Sequence, residues 1–186
     1  MSPWYRTEGK VLSPYTDEDF KEGMDKGLFL KPKHRALVIL YYYTGVRKTE
    51  ATRALKEQFQ IAQDAIYFNV GKRLKHGIVT PPLKLPRGAP YMEELVKAIQ
   101  YTRKGKQVFP YSDRTAYAIV RRVFKYPHLF RLSRITNFFA QGYTIDQVKN
   151  WTGLTLGALN FYVGKVDIDK MGDSFKPKEM EAIRRT

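Results

Sequence analysis

Eight apolar or aromatic residues follow one another without a break from Ala36 to Tyr43. Opened by Pro32 and closed by Gly45, that run predicts a helix, to about Tyr43, that is buried on every side. Upstream, Thr16 precedes Asp17, Glu18 and Asp19. A hydroxyl cap with acids in the first turn marks a helix start, and this helix should end near Gly27. A third helical pattern covers roughly 47–57.

The period then changes. Ala65-Ile66-Tyr67-Phe68-Asn69-Val70 is β-branched and aromatic, and Gly77-Ile78-Val79-Thr80 has the same character. The cation-rich Gly71-Lys72-Arg73-Leu74-Lys75-His76 between them predicts a β-hairpin with a basic tip. Pro81 and Pro82 limit the next segment to an edge strand or extended chain. Helical spacing returns over about 90–104, 114–125, 131–141, 144–151 and 155–162, with Thr144 and Gln147 as a capping box. A polar connector after Gly164 leads to a short basic helix, Pro177 to Arg185. The fold class expected is mainly α with a small antiparallel β-sheet (α+β). Residues 1–15 are expected as an N-terminal arm, 16–165 as one folded domain and 166–186 as a C-terminal tail.

Composition narrows the chemistry. The chain has 186 residues, 43% of them hydrophobic, so it can bury a core without staples. With no cysteine there is no disulfide framework, thiolate metal site or cysteine nucleophile. His34, His76 and His128 lie too far apart in sequence to suggest a metal site, and no metal or cofactor is expected. No apolar stretch approaches a membrane span and no signal-peptide core is present, which points to a cytoplasmic protein with no membrane partner.

Charge points to the partner. The formal net charge is +15, and the segment from Arg114 to Arg134 carries Arg114, Arg121, Arg122, Lys125, Arg131 and Arg134 without one acid. One-sided positive charge suits a polyanion and favours a nucleic-acid surface. Within this basic chain, Arg47 falls at the junction of two predicted helices, where a guanidinium can be held rigidly and still face outward. An arginine fixed in that way can grip a phosphate with two parallel hydrogen bonds.

Thr44-Gly45-Val46-Arg47-Lys48-Thr49-Glu50 resembles the TGxRxxE box of the tyrosine recombinases, or phage integrases. Val70-Gly71-Lys72-Arg73-Leu74-Lys75 resembles their GKxxK turn, and His128-Leu129-Phe130-Arg131 their HxxR box. Ser133-Arg134-Ile135-Thr136 is similar to the version in archaeal and archaeal-virus integrases. Gly142 follows Arg131 by eleven residues, Gly153 follows Gly142 by eleven, and Tyr162 stands where the family has its nucleophile. The resemblance spans about residues 15 to 165.

It implies a site-specific recombinase acting on double-stranded DNA in the host cytoplasm or nucleoid, a monomer when free and a homo-tetramer on DNA that exchanges C-terminal tails. Tyr162 would attack a phosphodiester to give a 3′-phosphotyrosine link. Arg47 and Arg131 would clamp the transition state, Lys72 would protonate the leaving oxygen, and His128 would assist. These residue types suit the reaction. A tyrosine hydroxyl can form the covalent intermediate, and two permanently charged guanidinia match the charge that builds on the non-bridging oxygens.

Lys75 competes with Lys72 as general acid. Lys48, Arg73, Lys75, Arg121, Arg122 and Arg134 are expected DNA contacts, with a solvated helix charge as the equal alternative for Arg134. Two positions depart from the family: Leu154 replaces a histidine or tryptophan, with Trp151 as a candidate substitute, and Leu132 replaces a histidine. Family members also carry an N-terminal clamp domain, whereas fewer than about 16 residues precede the pattern here. These departures motivate a second reading, a DNA-binding protein on the recombinase scaffold with weak or lost cleavage.

Overall fold

The computed structural model describes residues 14–70, 81–125, 127–140, 142–156 and 159. Helix α1 (Asp17–Lys26) begins at the expected cap: Thr16 accepts from the Asp19 amide, and Asp19 returns a carboxylate to the Thr16 amide. A single 3-10 turn (Gly27–Phe29) leads into α2 (Pro32–Thr44). Every residue of α2 from Arg35 to Tyr42 is buried. The unbroken apolar run is explained by its position, since α4 (Met92–Gln100), α5 (Asp113–Arg121) and α6 (Leu129–Ala140) all pack on α2. Phe20 of α1 lies flat on Tyr42, with ring centroids 3.7 Å apart and planes 2° apart.

The one charged residue in this run is paired on all sides. Arg35 forks onto Glu94 of α4 at 2.6 and 2.7 Å and donates to the Met24 carbonyl at 2.6 Å. A buried guanidinium is tolerated only when its donors are met in this way.

The third helix is shorter than its pattern suggested. Helix α3 stops at Thr52 (Lys48–Thr52), and a 3-10 turn (Lys56–Gln58) runs into a strand, β1 (Phe59–Ile61). Three residues are too few for alternation to stand out against a helical period. β1 pairs antiparallel with β2 (Ala65–Phe68), which pairs with β3 (Leu83–Pro86) in the order β1-β2-β3. The segment after Pro81-Pro82 is thus an edge strand, as its prolines require. The described partner of β2 lies at 83–86; the expected strand 77–80 and the basic tip fall outside the described residues. Phe59 and Phe68 stack across the β1-β2 pair at 4.2 Å.

Helix α5 starts at its Ser112 cap and ends at Arg121 rather than near 125. Helix α6 begins at Leu129, two residues earlier than its period implied, so Arg131 lies in its first turn. The last helix described in full, α7 (Ile145–Thr152), opens with the expected Thr144–Gln147 capping box and closes at Gly153.

Two hydrophobic clusters result. The large one surrounds α2 and takes in the sheet, α4 and α5. The smaller gathers Leu129, Leu132, Ile135 and Phe138 of α6 with Val148 and Leu159. Among the described residues, no helix is long and apolar enough to cross a membrane. The residue spans expected for the N-terminal arm and C-terminal tail lie almost wholly outside the described residues.

Candidate active site

The end of α2 and the start of α3 make the first wall of the site. Gly45 closes α2 in the left-handed conformation (φ 59°), with its amide on the Tyr41 carbonyl at 2.8 Å. A side chain there would be strained, and a Cβ would come within 3.0 Å of the Arg134 Cβ. Two residues on, Arg47 caps α3 in an extended conformation. Its amide donates to Glu50 at 2.6 Å, and its guanidinium meets the same carboxylate at 3.0 Å, with 46% of the side chain exposed. Glu50 thus fixes both the backbone and the head of Arg47 while leaving it open to solvent.

Arg131 forms the second wall, and it is only 7% exposed. One terminal nitrogen donates to the Gly45 carbonyl at 2.7 Å and the other to the Thr152 carbonyl at 3.0 Å. Two helix ends, those of α2 and α7, therefore present their last carbonyls to one cation. Such ends carry partial negative charge and unpaired acceptors, and a guanidinium satisfies both. Because Gly45 lies two residues before Arg47, at most about 7 Å of chain separates the Arg131 contact from Arg47.

His128 stands just before the same helix, and its carbonyl accepts from the Arg131 amide at 3.2 Å. It keeps exposed surface. Partial desolvation, then the charges of Arg131 and of Lys48, hold its pKa below the usual 6.5. The Gly45 contact thus brings Arg131, with His128 three residues before it, to the turn that carries Arg47, although about eighty residues separate them in sequence.

The described basic residues expected to contact DNA fall into two groups. Lys48 places its ammonium 5.2 Å from the Tyr117 ring centroid, and Arg121 its guanidinium 6.0 Å from the same ring. Both stay exposed, as does Arg122. Arg134 is different. Its guanidinium lies 4.4 Å from the Phe138 centroid, its Nε is buried without a hydrogen-bond partner, and burial lowers its pKa. The side chain is only partly exposed, and its guanidinium rests on an aromatic ring. With its Cβ against Gly45, Arg134 packs beneath the turn that carries Arg47.

Trp151 and Leu154 belong to the small core. Trp151 packs on Phe138 at 4.9 Å and on Tyr143 at 4.8 Å, and Leu154 joins the same cluster. Tyr143, a rival for the nucleophile by residue type, is a packing residue here. The three tyrosines nearest Arg47 in sequence are poor nucleophiles. Burial raises Tyr41 and Tyr42 strongly and pushes Tyr43 up to about 12. Lys72, Arg73, Lys75 and Tyr162 lie outside the described residues. Among the described residues, no group of three or more His, Cys, Asp or Glu side chains could hold a metal ion.

A crystal structure of XerA recombinase superposes on this chain with a TM-score of 0.60 at 16% sequence identity. The match covers 95% of this chain and 67% of that one. The chain has the fold of a tyrosine recombinase. No protein-family model and no curated protein sequence matches it. At this identity the likeness rests on the arrangement of helices and sheet, so the residues of the site stand on their own geometry.

The sequence did not signal that Gly45 and Thr152 would serve as acceptors for Arg131. Those contacts span 86 and 21 residues, and their acceptors are backbone atoms that carry no residue identity. The only hint was Gly45 and Gly153, each next to a carbonyl that a helix end leaves unpaired.

Proposed function

We propose that this chain is a DNA breaking-and-rejoining enzyme of the tyrosine-recombinase type. The observation that carries the reading is the convergence of Arg47, His128 and Arg131 on a recombinase fold. Duplex DNA is the substrate, and one scissile phosphate sits between the two guanidinia. Tyr162 attacks the phosphorus as its hydroxyl proton passes to His128, a 3′-phosphotyrosyl bond forms and the bond to the 5′ oxygen breaks. The departing oxygen takes a proton from Lys72 or Lys75. Reversal by a second 5′-hydroxyl reseals the strand, so no nucleotide or metal is consumed.

The arginines act by charge. Non-bridging oxygens gain negative charge in the pentacoordinate transition state, and cations fixed beforehand stabilise it without reorganising. A neutral His128 can accept or relay a proton near pH 7, consistent with its lowered pKa. The positive surface holds the duplex, with Lys48, Arg121 and Arg122 as backbone contacts. Recombination on this plan needs two duplex sites and four copies, which exchange their C-terminal tails.

The test is a duplex nicked just beyond the cleavage position, so that the released fragment diffuses away. Wild-type protein should form a covalent adduct on a denaturing gel, and Tyr162→Phe should form none. A second reading has one observation in its favour: both terminal nitrogens of Arg131 are engaged by carbonyls, and Arg47 by Glu50. A scaffold that binds DNA without cutting it would show tight, salt-sensitive binding and no adduct.

A further inference from the structure

The segment between α4 and α5 was expected to be helical up to about residue 104, but the helix ends at Gln100 and a tight turn comes next. The Lys106 amide bonds the Arg103 carbonyl at 3.1 Å, with Gly105 at φ 74°. Arg103, Lys104 and Lys106 are all exposed, and Tyr101 beside them is 87% exposed. No acid occurs from Tyr101 to Ser112. Among the described residues, no carboxylate forms an ion pair with Arg103, Lys104 or Lys106.

A charged loop of this kind is ordinarily loose, yet this one is fastened at many points. The Gly105 amide donates to the Glu57 carboxylate. The Lys56 amide donates to the Lys106 carbonyl at 3.0 Å, and the Lys56 ammonium to the Gln100 carbonyl at 3.1 Å. Leu55 and Gln107 form a β-bridge, and the Val108 amide reaches Ala54 at 2.9 Å. Thr102 is buried and bonds Ala98, while Val108 and Phe109 are wholly buried beyond the turn. Three cations are therefore displayed on a frame already ordered before any ligand arrives, which lowers the entropic cost of binding.

The frame also has a definite place. It is bonded to the segment just after α3, and α3 starts at Arg47. Five helical residues and the next four span no more than about 22 Å, or roughly six base pairs of duplex. We infer that the Arg103–Lys106 turn is a second, sequence-independent contact to the DNA backbone, seated to one side of the phosphate gripped by Arg47 and Arg131. Its three cations take phosphate oxygens, and the exposed Tyr101 hydroxyl is a further donor to phosphate or sugar. This inference rests on the reading that the chain acts on duplex DNA. It adds residues that the motif boxes do not contain.

The experiment is fluorescence anisotropy with a labelled duplex of about three helical turns, titrated at several salt concentrations. The variant Arg103→Ala/Lys104→Ala/Lys106→Ala keeps Gly105 and Glu57, so the turn retains its anchors. A charge-matched control, Lys21→Ala/Lys26→Ala/Lys31→Ala, removes three cations elsewhere. The turn variant should bind at least about tenfold more weakly near 0.1 M salt, equally for unrelated sequences. It should also flatten the slope of log K against log salt by about two to three, while the control changes that slope by less than about one. Thermal melting of both variants checks that the fold is intact. Unchanged binding by the turn variant, or equal losses in both variants, overturns the inference and leaves the DNA reading standing. Failure of the wild-type protein to bind duplex at low salt overturns the DNA reading itself.

Discussion

Arg47 stands at the rim of the large core with nearly half its side chain exposed, whereas Arg131 is buried at the seam between the large core and the small one. The first is steered by a single carboxylate three residues away, on its own helix. The second is held by two backbone carbonyls from helix ends far apart in sequence. Similar chemistry is thus delivered by a local device on one side and a tertiary one on the other. The difference teaches that Arg131 belongs to the structure as much as to the site. Removing it unfastens two helix ends, while removing Arg47 unfastens nothing but an exposed ion pair.

The largest expected effect tests that contrast directly. Arg131→Ala leaves the carbonyls of Gly45 and Thr152 without their donor, and charge-assisted hydrogen bonds of this kind contribute about 1.5–3 kcal/mol each. A loss of about 3–5 kcal/mol in urea denaturation is expected. Arg47→Ala should cost about 1 kcal/mol, because the arginine half of the pair is screened by solvent, and Glu50, with 12% of its side chain exposed, keeps the Arg47 amide as a donor. Equal destabilisation by the two variants would erase that distinction.

Activity should reverse the asymmetry. Because Arg47→Ala keeps the fold, its loss of adduct formation on the nicked duplex can be read as chemistry. A fall of about 10²–10³-fold in single-turnover rate is expected, the usual consequence of deleting one fixed donor to a developing oxyanion. Arg47→Lys should recover little, since an ammonium cannot reproduce the planar fork. Adduct formation at the wild-type rate in Arg47→Ala would remove Arg47 from the clamp.

Gly45 joins the two devices, because its carbonyl holds Arg131 and its turn launches Arg47. Gly45→Ala forces an L-residue to φ 59° and places a methyl 3.0 Å from the Arg134 Cβ and 3.4 Å from the Arg131 Cα. The backbone strain alone is about 1–2 kcal/mol. A midpoint loss of that size should be accompanied by reduced adduct formation, since the strain is relieved by moving the Arg131 acceptor. A destabilised variant of undiminished activity would show that the turn and the clamp are independent.

The same contrast explains what the sequence disclosed. Arg47 was legible because everything that sets its position is nearby: the apolar run of α2, the Gly45 stop and Glu50 three residues on. The burial of Arg131 was not, since its carbonyl partners carry no residue identity. Arg134 shows a related limit. Helical spacing puts it close to Arg131 but cannot say that Phe138 will receive its guanidinium. The strand β1, just beyond the third helical pattern, was too short at three residues for its alternation to be seen. The helix expected to about residue 104 ends at Gln100, so Arg103 and Lys104 fall in a turn, although Arg and Lys are good helix formers. Local signals gave the order of elements, and the contacts between distant backbone atoms needed the fold.

The smallest effect is the most specific to the site. Desolvation and the charges of Arg131 and Lys48 hold the His128 pKa below 6.5. Between that lowered value and 6.5 the unfolded chain binds more protons than the folded one, so His128 contributes stability at higher pH that is lost as pH falls through the window. A phosphate placed between the arginines would offset their charge, and the His128 pKa should rise when duplex is added. His34 is the internal reference. Its pKa is also lowered, by burial and by Arg122 and Lys31, but it sits in the first turn of α2, at the opposite end from Gly45. Proton NMR titration of the two imidazoles, with and without duplex, separates them. A rise at His128 larger than at His34 supports a phosphate at the arginine clamp, and by linkage DNA affinity should then strengthen as pH falls through the same window. Equal shifts at both rings would mean that the duplex acts only through its general field, with no phosphate seated between Arg47 and Arg131.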